Sequence, residues 1–192
     1  MPNARDLHVD RAHRRGDDLA DSARRGEPWA LTEIWHRHSP AVVGYLRGRG
    51  VRDADDMTSE VFLQVFRRIG RFSGDESDLR TFVFSVAHAR YVDDQRRLAR
   101  RGVDAEFAEE HHDGVVASAE THALEELATQ RAVALIEMLS PDQRDVLLLR
   151  IVADLSLEET ARVLRKSVGA VKSLQHRGLA ALRPLVEAGV SQ

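Results

Sequence analysis

The last quarter of the chain carries three helix-start signals in close succession, and they constrain the fold more than any other feature. Ser140 is followed by a proline and, at the third helical position, by Gln143, which is the pattern of a capping box. Ser156 and Glu159 form a second box of the same kind, and Ser167 can cap a third helix. The second and third of these helices, joined by a tight turn, match the helix-turn-helix pattern.

The charge of this quarter is one-sided. From Thr160 to Val186 there are six Lys or Arg residues and no Asp or Glu. Such a stretch is attracted to a phosphate backbone, and the start of a helix can hold a phosphate with its free N–H groups. The sequence therefore predicts that the last helix binds DNA.

The composition of the whole chain narrows the class of protein. The net charge of −3 over 192 residues is unlike the basic footprint of most nucleic-acid binders, so the charge must be segregated along the chain. With no cysteine, disulfides and thiolate metal sites are excluded. No apolar run approaches the roughly 18 residues of a membrane span, and no signal peptide is recognisable. We expect a cytoplasmic protein without membrane insertion.

Apolar residues recur at helical spacing through the first half of the chain. Pro40 can begin a new helical segment or bend a longer one. Asp53 is predicted to cap the next helix, whose acidic first turn suits the helix dipole. A loop over residues 70–77 precedes another helix predicted over residues 79–98. Because no β-hairpin signature occurs, the fold class is all-α.

The join between the two halves is acidic. Between Arg101 and Arg131 the chain has eight acidic residues and no Lys or Arg. Weak periodicity and an excess of Gly, Ala and Ser suit a solvated linker. The alternative is a negatively charged segment that occupies a basic nucleic-acid channel in a partner.

Motifs in both halves resemble the extracytoplasmic-function (ECF) sigma factors, the small two-domain class of the bacterial sigma-70 family. Three segments are similar to region 2 of that family: SPAVVGYL at 39–46, DADDMTSEVFL at 53–63 and LRTFVFSVAH at 79–88. Two are similar to region 4: LSPDQR at 139–144 and SVGAVKS at 167–173. The order of the two groups on either side of an acidic join makes the resemblance specific.

The resemblance implies two small helical domains joined by an acidic flexible linker. Its predicted divisions are a flexible tail over 1–16, a region 2 helical bundle over 17–101, the linker over 102–126, a region 4 helix-turn-helix over 127–186 and a C-terminal tail over 187–192.

In that family, the helix with an Asp-x-x-Asp start docks on core RNA polymerase, and the expected partners there are its beta and beta-prime subunits. The residues of this chain at the matching positions are Asp56, Glu60, Phe62, Leu63, Gln64 and Phe66. For Phe62 the alternative is a place in the domain core, and for Asp56 and Glu60 it is a capping role.

The second half of region 2 is expected to recognise and open the minus-ten promoter element, because a base that leaves the stack can be held by stacking and hydrogen bonds. The residues implied are Arg71, Phe72, Ser73, Arg80, Arg90, Arg96 and Arg97. Phe72 has the alternative of being a core residue rather than a stacking platform.

Region 4 is expected to read the minus-thirty-five element as duplex DNA. The residues implied are Arg165, Lys166, Ser167, Lys172, Ser173, Gln175, His176 and Arg177. Lys172 or Arg177 can read guanine and Gln175 adenine, or these residues contact phosphates only. Arg165 occupies a turn where the family often has glycine, because the position favours a positive φ.

No cofactor, metal or catalytic set is expected. His111 and His112 are adjacent in the acidic join, and adjacent histidines rarely bind the same metal ion. No nucleotide-binding glycine loop occurs. The predicted function is that of an alternative sigma factor, not an enzyme, with core RNA polymerase, promoter DNA and an anti-sigma factor as partners. The alternative function is a stand-alone helix-turn-helix regulator with a helical sensor domain.

Overall fold

The computed structural model describes residues 19–102, 135–136 and 138–190. The N-terminal tail, most of the acidic join and its adjacent His111 and His112 lie outside the described residues. Within these ranges the chain is helical without a strand, which confirms the all-α prediction. The helices are α1 (Leu19–Arg24), α2 (Pro28–Gly48), α3 (Ala54–Ile69), α4 (Glu76–Gly102), α5 (Pro141–Ile151), α6 (Leu157–Leu164) and α7 (Val168–Val190).

The helix starts in the last quarter follow the predicted local chemistry. The N–H of Gln143 donates to Ser140 Oγ at 3.4 Å, and the N–H of Ser140 donates to the Gln143 side chain at 3.1 Å. Ser156 and Glu159 form the second reciprocal box, with bonds of 3.1 and 2.6 Å. Each box satisfies two N–H groups that would otherwise lack a partner, so both starts are fixed by nearby residues.

Elsewhere the helix boundaries differ from the predicted ones. Pro40 lies inside α2, so a single helix runs through it. Asp53 occupies the cap position of α3, but its side chain accepts no capping bond. The helix α4 begins earlier and ends later than residues 79–98.

Helices α1 to α4, here called the N-terminal block, enclose a core of large apolar side chains. Ile34, Tyr45, Phe62 and Phe84 are each at most 1% exposed. The Tyr45 and Phe84 rings meet edge to face with their centroids 5.9 Å apart, which is a favourable aromatic geometry.

Helices α5 to α7, here called the C-terminal block, have a smaller cluster of their own. It is formed by Val146, Ala161, Val171 and Leu174. Other apolar residues of this block join the core of the N-terminal block instead, among them Leu148, Leu149 and Leu155. The two blocks therefore share one continuous apolar core.

The blocks meet at the block interface, where α5 and α6 pack on α2 and α4. Gly44 and Gly48 lie four residues apart on α2 and allow α5 to approach closely. A Cβ on Gly48 would come within 2.5 Å of a Leu148 methyl carbon, and one on Gly44 within 3.1 Å of Val152. The close approach of the two helices thus depends on the absence of side chains at these positions.

His38 is a buried titratable group of the N-terminal block, with only 4% of its surface exposed. Burial, helped by the nearby Arg80 and Arg37 charges, lowers its pKa from 6.5 to about 4. The unfolded chain takes up this proton below pH 6.5, whereas the folded chain resists it until about pH 4. The free energy of unfolding therefore decreases as the pH falls from about 6.5 to about 4, because the unfolded chain binds this proton and the folded chain does not.

We expect a change from pH 7 to pH 5 to lower the free energy of unfolding by about 2 kcal/mol through His38 alone. The measurement is urea denaturation at both pH values for the native chain and His38→Gln, which should lack this part of the loss. His36→Gln removes an exposed imidazole from the same helix and should behave as the native chain does. An equal loss in the native chain and His38→Gln would contradict the assignment.

Candidate polymerase and promoter interface

The predicted polymerase-binding residues lie on α3, and several of them face solvent. Asp56 and Glu60 are exposed, and 55% of the Leu63 surface is exposed. Gln64 and Phe66 are half-buried. An exposed leucine flanked by acidic groups is an arrangement that a partner with apolar and basic groups can cover.

Phe62 is only 1% exposed, which is the core position given above as the alternative for this residue. Its ring packs between Trp35, at 4.7 Å between centroids, and Phe66, at 5.7 Å. At this helical position the side chain points into the core and supports α3 from below.

Arg90, one of the predicted minus-ten residues, pairs with acidic groups of its own chain. Its Nε donates to Glu60 at 2.6 Å, and the guanidinium also lies 3.6 Å from Asp94. Only 12% of its side chain is exposed. Arg90 therefore fixes α4 to the predicted polymerase-binding helix, and its charge is already neutralised within the chain.

The loop between α3 and α4 contains three predicted minus-ten residues in different environments. Arg71 and Ser73 are exposed. Phe72 is half-buried, with its ring centroid 5.0 Å from that of Phe82. Gly74 allows this fold of the loop, since a Cβ there would come within 2.8 Å of the Phe72 ring. The loop presents polar groups outward and stacks its own aromatic ring inward.

The remaining minus-ten candidates are arginines of α4. Arg96 and Arg97 are exposed near its C-terminal end, and Arg96 lies 3.7 Å from Asp93. Arg80 is half-buried, and its guanidinium is 4.0 Å from Asp154 of the C-terminal block. The structure thus leaves one end of α4 open to solvent and covers the other.

The predicted minus-thirty-five residues come together around the start of α7. Arg165 ends α6 with φ 53° and ψ 41°, the left-handed conformation predicted for this turn. Ser167 accepts a hydrogen bond from the N–H of Ala170 at 3.2 Å, as a cap does. Lys166 forms an ion pair with Asp142 at 2.9 Å, which joins the turn to α5.

One face of α7 is buried and the other is available for contact. Val171 and Leu174 are at most 9% exposed and hold the helix against the C-terminal block. Leu179, further along the same helix, is 45% exposed. The outward residues are polar or basic: Lys172, Ser173, His176 and Arg177 are exposed, and Gln175 is half-buried. The geometry suits a helix that enters a DNA groove.

A buried ion pair lies at the centre of the block interface. Arg49, at the end of α2, is 3.1 Å from the Asp145 carboxylate of α5, and their side chains are only 7% and 10% exposed. The Arg49 guanidinium also donates to the Pro141 carbonyl at 3.2 Å and lies 4.2 Å from the centroid of the Tyr91 ring. One side chain therefore contacts α2, α4 and α5.

Burial shifts the titration of the groups around this pair. Burial raises the pKa of Asp145 to about 6, although the Arg49 charge acts in the opposite direction. Burial, with the Arg49 charge, lowers the pKa of His88 to about 4. The Tyr45 hydroxyl lies 2.9 Å from Nδ1 of His88 and 3.4 Å from the Asp145 carboxylate. At neutral pH the cluster thus holds a carboxylate, a guanidinium and a neutral imidazole.

Further polar contacts join the first turns of α4 to the C-terminal block. Thr81 donates to Glu159 at 3.0 Å, and Arg162 donates to Asp78 at 3.2 Å. Together with the contact between Arg80 and Asp154, these bonds place α6 and the turn before it over the start of α4. Arg80, a predicted minus-ten residue, lies in this covered segment.

The sequence matches two regions of the Sigma-70 family. Residues 34–101 match Sigma-70 region 2, and residues 129–182 match Sigma-70, region 4. The ECF RNA polymerase sigma factor SigD of Mycobacterium tuberculosis (strain H37Rv) is 33% identical over 181 residues, which cover 90% of this chain and 85% of SigD. The ECF RNA polymerase sigma factor BldN of Streptomyces coelicolor is 32% identical over 172 residues, covering 88% of this chain and 65% of BldN.

A solved structure has the same fold. CnrH, in complex with the cytosolic domain of CnrY, superposes with a TM-score of 0.66 at 23% identity, covering 88% of this chain and 96% of CnrH.

These matches define the class of protein: the chain belongs to the ECF sigma factors of the sigma-70 family. A stand-alone regulator with a helical sensor domain is not favoured, because the first half of the chain is Sigma-70 region 2. Among the described residues, no helix is both long and apolar enough to cross a membrane.

Sequence reasoning missed Arg24, Arg49 and Asp145. Arg24 contacts the predicted minus-ten loop from α1, and the other two form the buried pair. The hydrogen bonds of Arg24 to this loop, of Arg49 to Pro141 and of Asp145 to Tyr45 each span 48 or more positions of the chain, so no local pattern identifies them. A glycine on each side of Arg49 is the nearest signal, and it indicates only a helix end.

Replacement of Asp145 by Ala leaves the Arg49 charge buried without its partner, and we expect the free energy of unfolding to fall by about 3–5 kcal/mol. The double variant Arg49→Met/Asp145→Leu removes both charges and should recover most of this loss. Chemical denaturation of the full chain measures both.

Asp55→Ala is the matched control, because it breaks an exposed ion pair with Arg47 of 2.9 Å. Such pairs contribute about 0–1 kcal/mol, so this variant should unfold nearly as the native chain does. A small effect of Asp145→Ala, similar to that of Asp55→Ala, would show that the buried pair does not hold the blocks together.

Proposed function

We propose that this chain binds core RNA polymerase through the exposed face of α3 and directs it to promoters whose two elements the two blocks read. The observation that carries the proposal is the presence of both sigma regions, in order, with an acidic and apolar α3 and a basic α7 each facing solvent. The chemistry of RNA synthesis belongs to the polymerase, and the chain contributes recognition.

Reading of the minus-thirty-five element is assigned to the start of α7. Ser167 and the free N–H groups beside it can fix a phosphate, while Lys172, Gln175 and Arg177 face outward to reach base edges or phosphates. Arg165 and His176 lie near the same end of the helix and can add phosphate contacts. Duplex readout requires such a combination, because phosphate contacts set the register and base contacts set the sequence.

Opening of the minus-ten element is assigned to the loop before α4. Arg71 and Ser73 offer exposed hydrogen-bond donors to an unpaired strand, and Arg96 and Arg97 can follow its phosphates. Because the Phe72 ring packs on Phe82, stacking of a base on Phe72 would first require the loop to move.

Promoter geometry requires the two blocks to separate. The elements are named for positions about 25 base pairs apart, which is roughly 85 Å of duplex at about 3.4 Å per base pair. The longest described helix, α4, has 27 residues and is about 40 Å long. Blocks in contact cannot reach both elements, so we infer that polymerase binding opens the block interface and that the acidic join spans the gap.

Two further assignments follow from membership of the family. Action on RNA polymerase implies work in the cytoplasm, and we propose an anti-sigma factor as a regulatory partner. The same membership supports the view that the chain has no enzymatic activity of its own.

The direct test is transcription in vitro with core RNA polymerase from the same organism and pooled genomic promoter fragments. Transcripts that start at discrete sites only when the chain is added would support the proposal. Transcripts that are the same with and without the chain, together with polymerase-independent binding to a palindromic fragment, would refute it.

Leu63→Ala should weaken binding to core polymerase about tenfold and reduce transcription at low protein concentration, as loss of a central interface side chain does. Ile151→Ala is the matched control, because Ile151 is 65% exposed but lies in the C-terminal block. Both variants should keep native stability within about 0.5 kcal/mol, since the side chains face solvent. Equal affinities of the two variants for core polymerase would argue against the α3 surface.

A further inference from the structure

The last residue of α1 reaches across the N-terminal block to the loop that precedes α4. Arg24 donates from one guanidinium nitrogen to the carbonyl of Gly74 at 2.8 Å and to that of Phe72 at 3.4 Å. These residues are 50 and 48 positions away along the chain. Arg24 precedes the part of the chain that matches Sigma-70 region 2, which begins at residue 34.

Two other contacts fix the position of this guanidinium. It lies 5.8 Å from the centroid of the Phe72 ring, within the range of a cation–π interaction. It also forms an ion pair with Asp21, one turn earlier on α1. The side chain is 27% exposed, so it lies at the edge of the block and not in the core.

The contacts restrict the loop at the residues that carry its function. Arg24 binds the carbonyls on both sides of Ser73, while the side chains of Ser73 and Arg71 point to solvent. Fixing the backbone of a residue costs conformational entropy, so a loop ordered in advance binds a single strand more tightly than a loop that must be ordered on binding.

We propose that Arg24 is a positioning residue for promoter opening, which holds the loop in the conformation that presents Arg71 and Ser73 to the unpaired minus-ten strand. The inference rests on the proposed function, because the role of this loop in opening is part of it. It adds a residue of α1 to the machinery that recognises single-stranded DNA.

The packing of α1 does not depend on the guanidinium. Leu19, Ala20 and Ala23 bury the apolar side of this helix and are at most 5% exposed. A substitution that removes only the charged end of Arg24 should therefore leave the fold intact and change the order of the loop.

The test compares Arg24→Gln with Arg25→Gln in the full chain. Arg25 is the neighbouring residue, and Arg25→Gln also removes an ion pair with Glu27 at 2.7 Å and a hydrogen bond to Ser22 at 2.9 Å. Both of these partners lie within three residues of Arg25, whereas the loop carbonyls that Arg24 binds are distant in the chain. Arg24→Lys keeps a positive donor at the same place and should rescue part of the effect. The probes are core polymerase, and duplex and premelted forms of a promoter fragment that the native chain uses, with 2-aminopurine in the minus-ten element.

We expect Arg24→Gln to weaken holoenzyme binding to the premelted fragment about tenfold, corresponding to the loss of one or two charged hydrogen bonds. Strand opening, followed by 2-aminopurine fluorescence, should slow in parallel. Affinity for core polymerase should equal that of the native chain, and Arg25→Gln should behave as the native chain in every assay.

Each other outcome overturns the inference. Native opening by Arg24→Gln would show that the loop does not need this contact. If Arg24→Gln lost affinity for core polymerase as much as for the premelted fragment, or if Arg25→Gln bound that fragment equally weakly, Arg24 would have only a general structural role. Failure of the proposed function is distinct from these results, because the native chain itself would then direct no transcription.

Discussion

The ion pair between Arg49 and Asp145 fixes how the two halves of this chain meet. Removal of two charges from water is costly, and the cost is offset only when the partners remain together with further hydrogen bonds. Arg49 meets that condition through the Asp145 carboxylate, the Pro141 carbonyl and the face of Tyr91. Gly44 and Gly48 let α5 pack closely on the same helix end, and the apolar core continues across both blocks beside the pair.

The packing divides the functional surfaces into two groups. The exposed face of α3 and the outward face of α7, proposed to bind polymerase and DNA, are available while the blocks are in contact. The first turns of α4 are covered through Arg80, Thr81 and Asp78. A partner can shift such an arrangement only by the difference between its affinities for the open and packed forms. We propose that core polymerase, bound through α3, supplies part of this difference in affinity, and that promoter DNA supplies the rest.

Local chemistry made much of the C-terminal block predictable. The two capping boxes and the left-handed turn at Arg165 depend on residues within a few positions of each other. The sequence could not distinguish Phe62 as a core residue from Phe62 as a contact, because both place an aromatic on α3. The partners of Arg90, Arg24 and Asp145 are set by tertiary packing over long separations, which no local pattern records.

The central claim is that the packed chain opens when it acts as a sigma factor, and an interdomain distance tests it most directly. The chain has no cysteine, so cysteines introduced at the exposed positions of Thr32 on α2 and Ala180 on α7 can carry a donor and acceptor pair. The free protein should give one short distance, and addition of core polymerase and promoter DNA should lengthen it by tens of ångströms, as a separation of about 85 Å between the elements requires. An unchanged distance in a complex that transcribes would contradict the account.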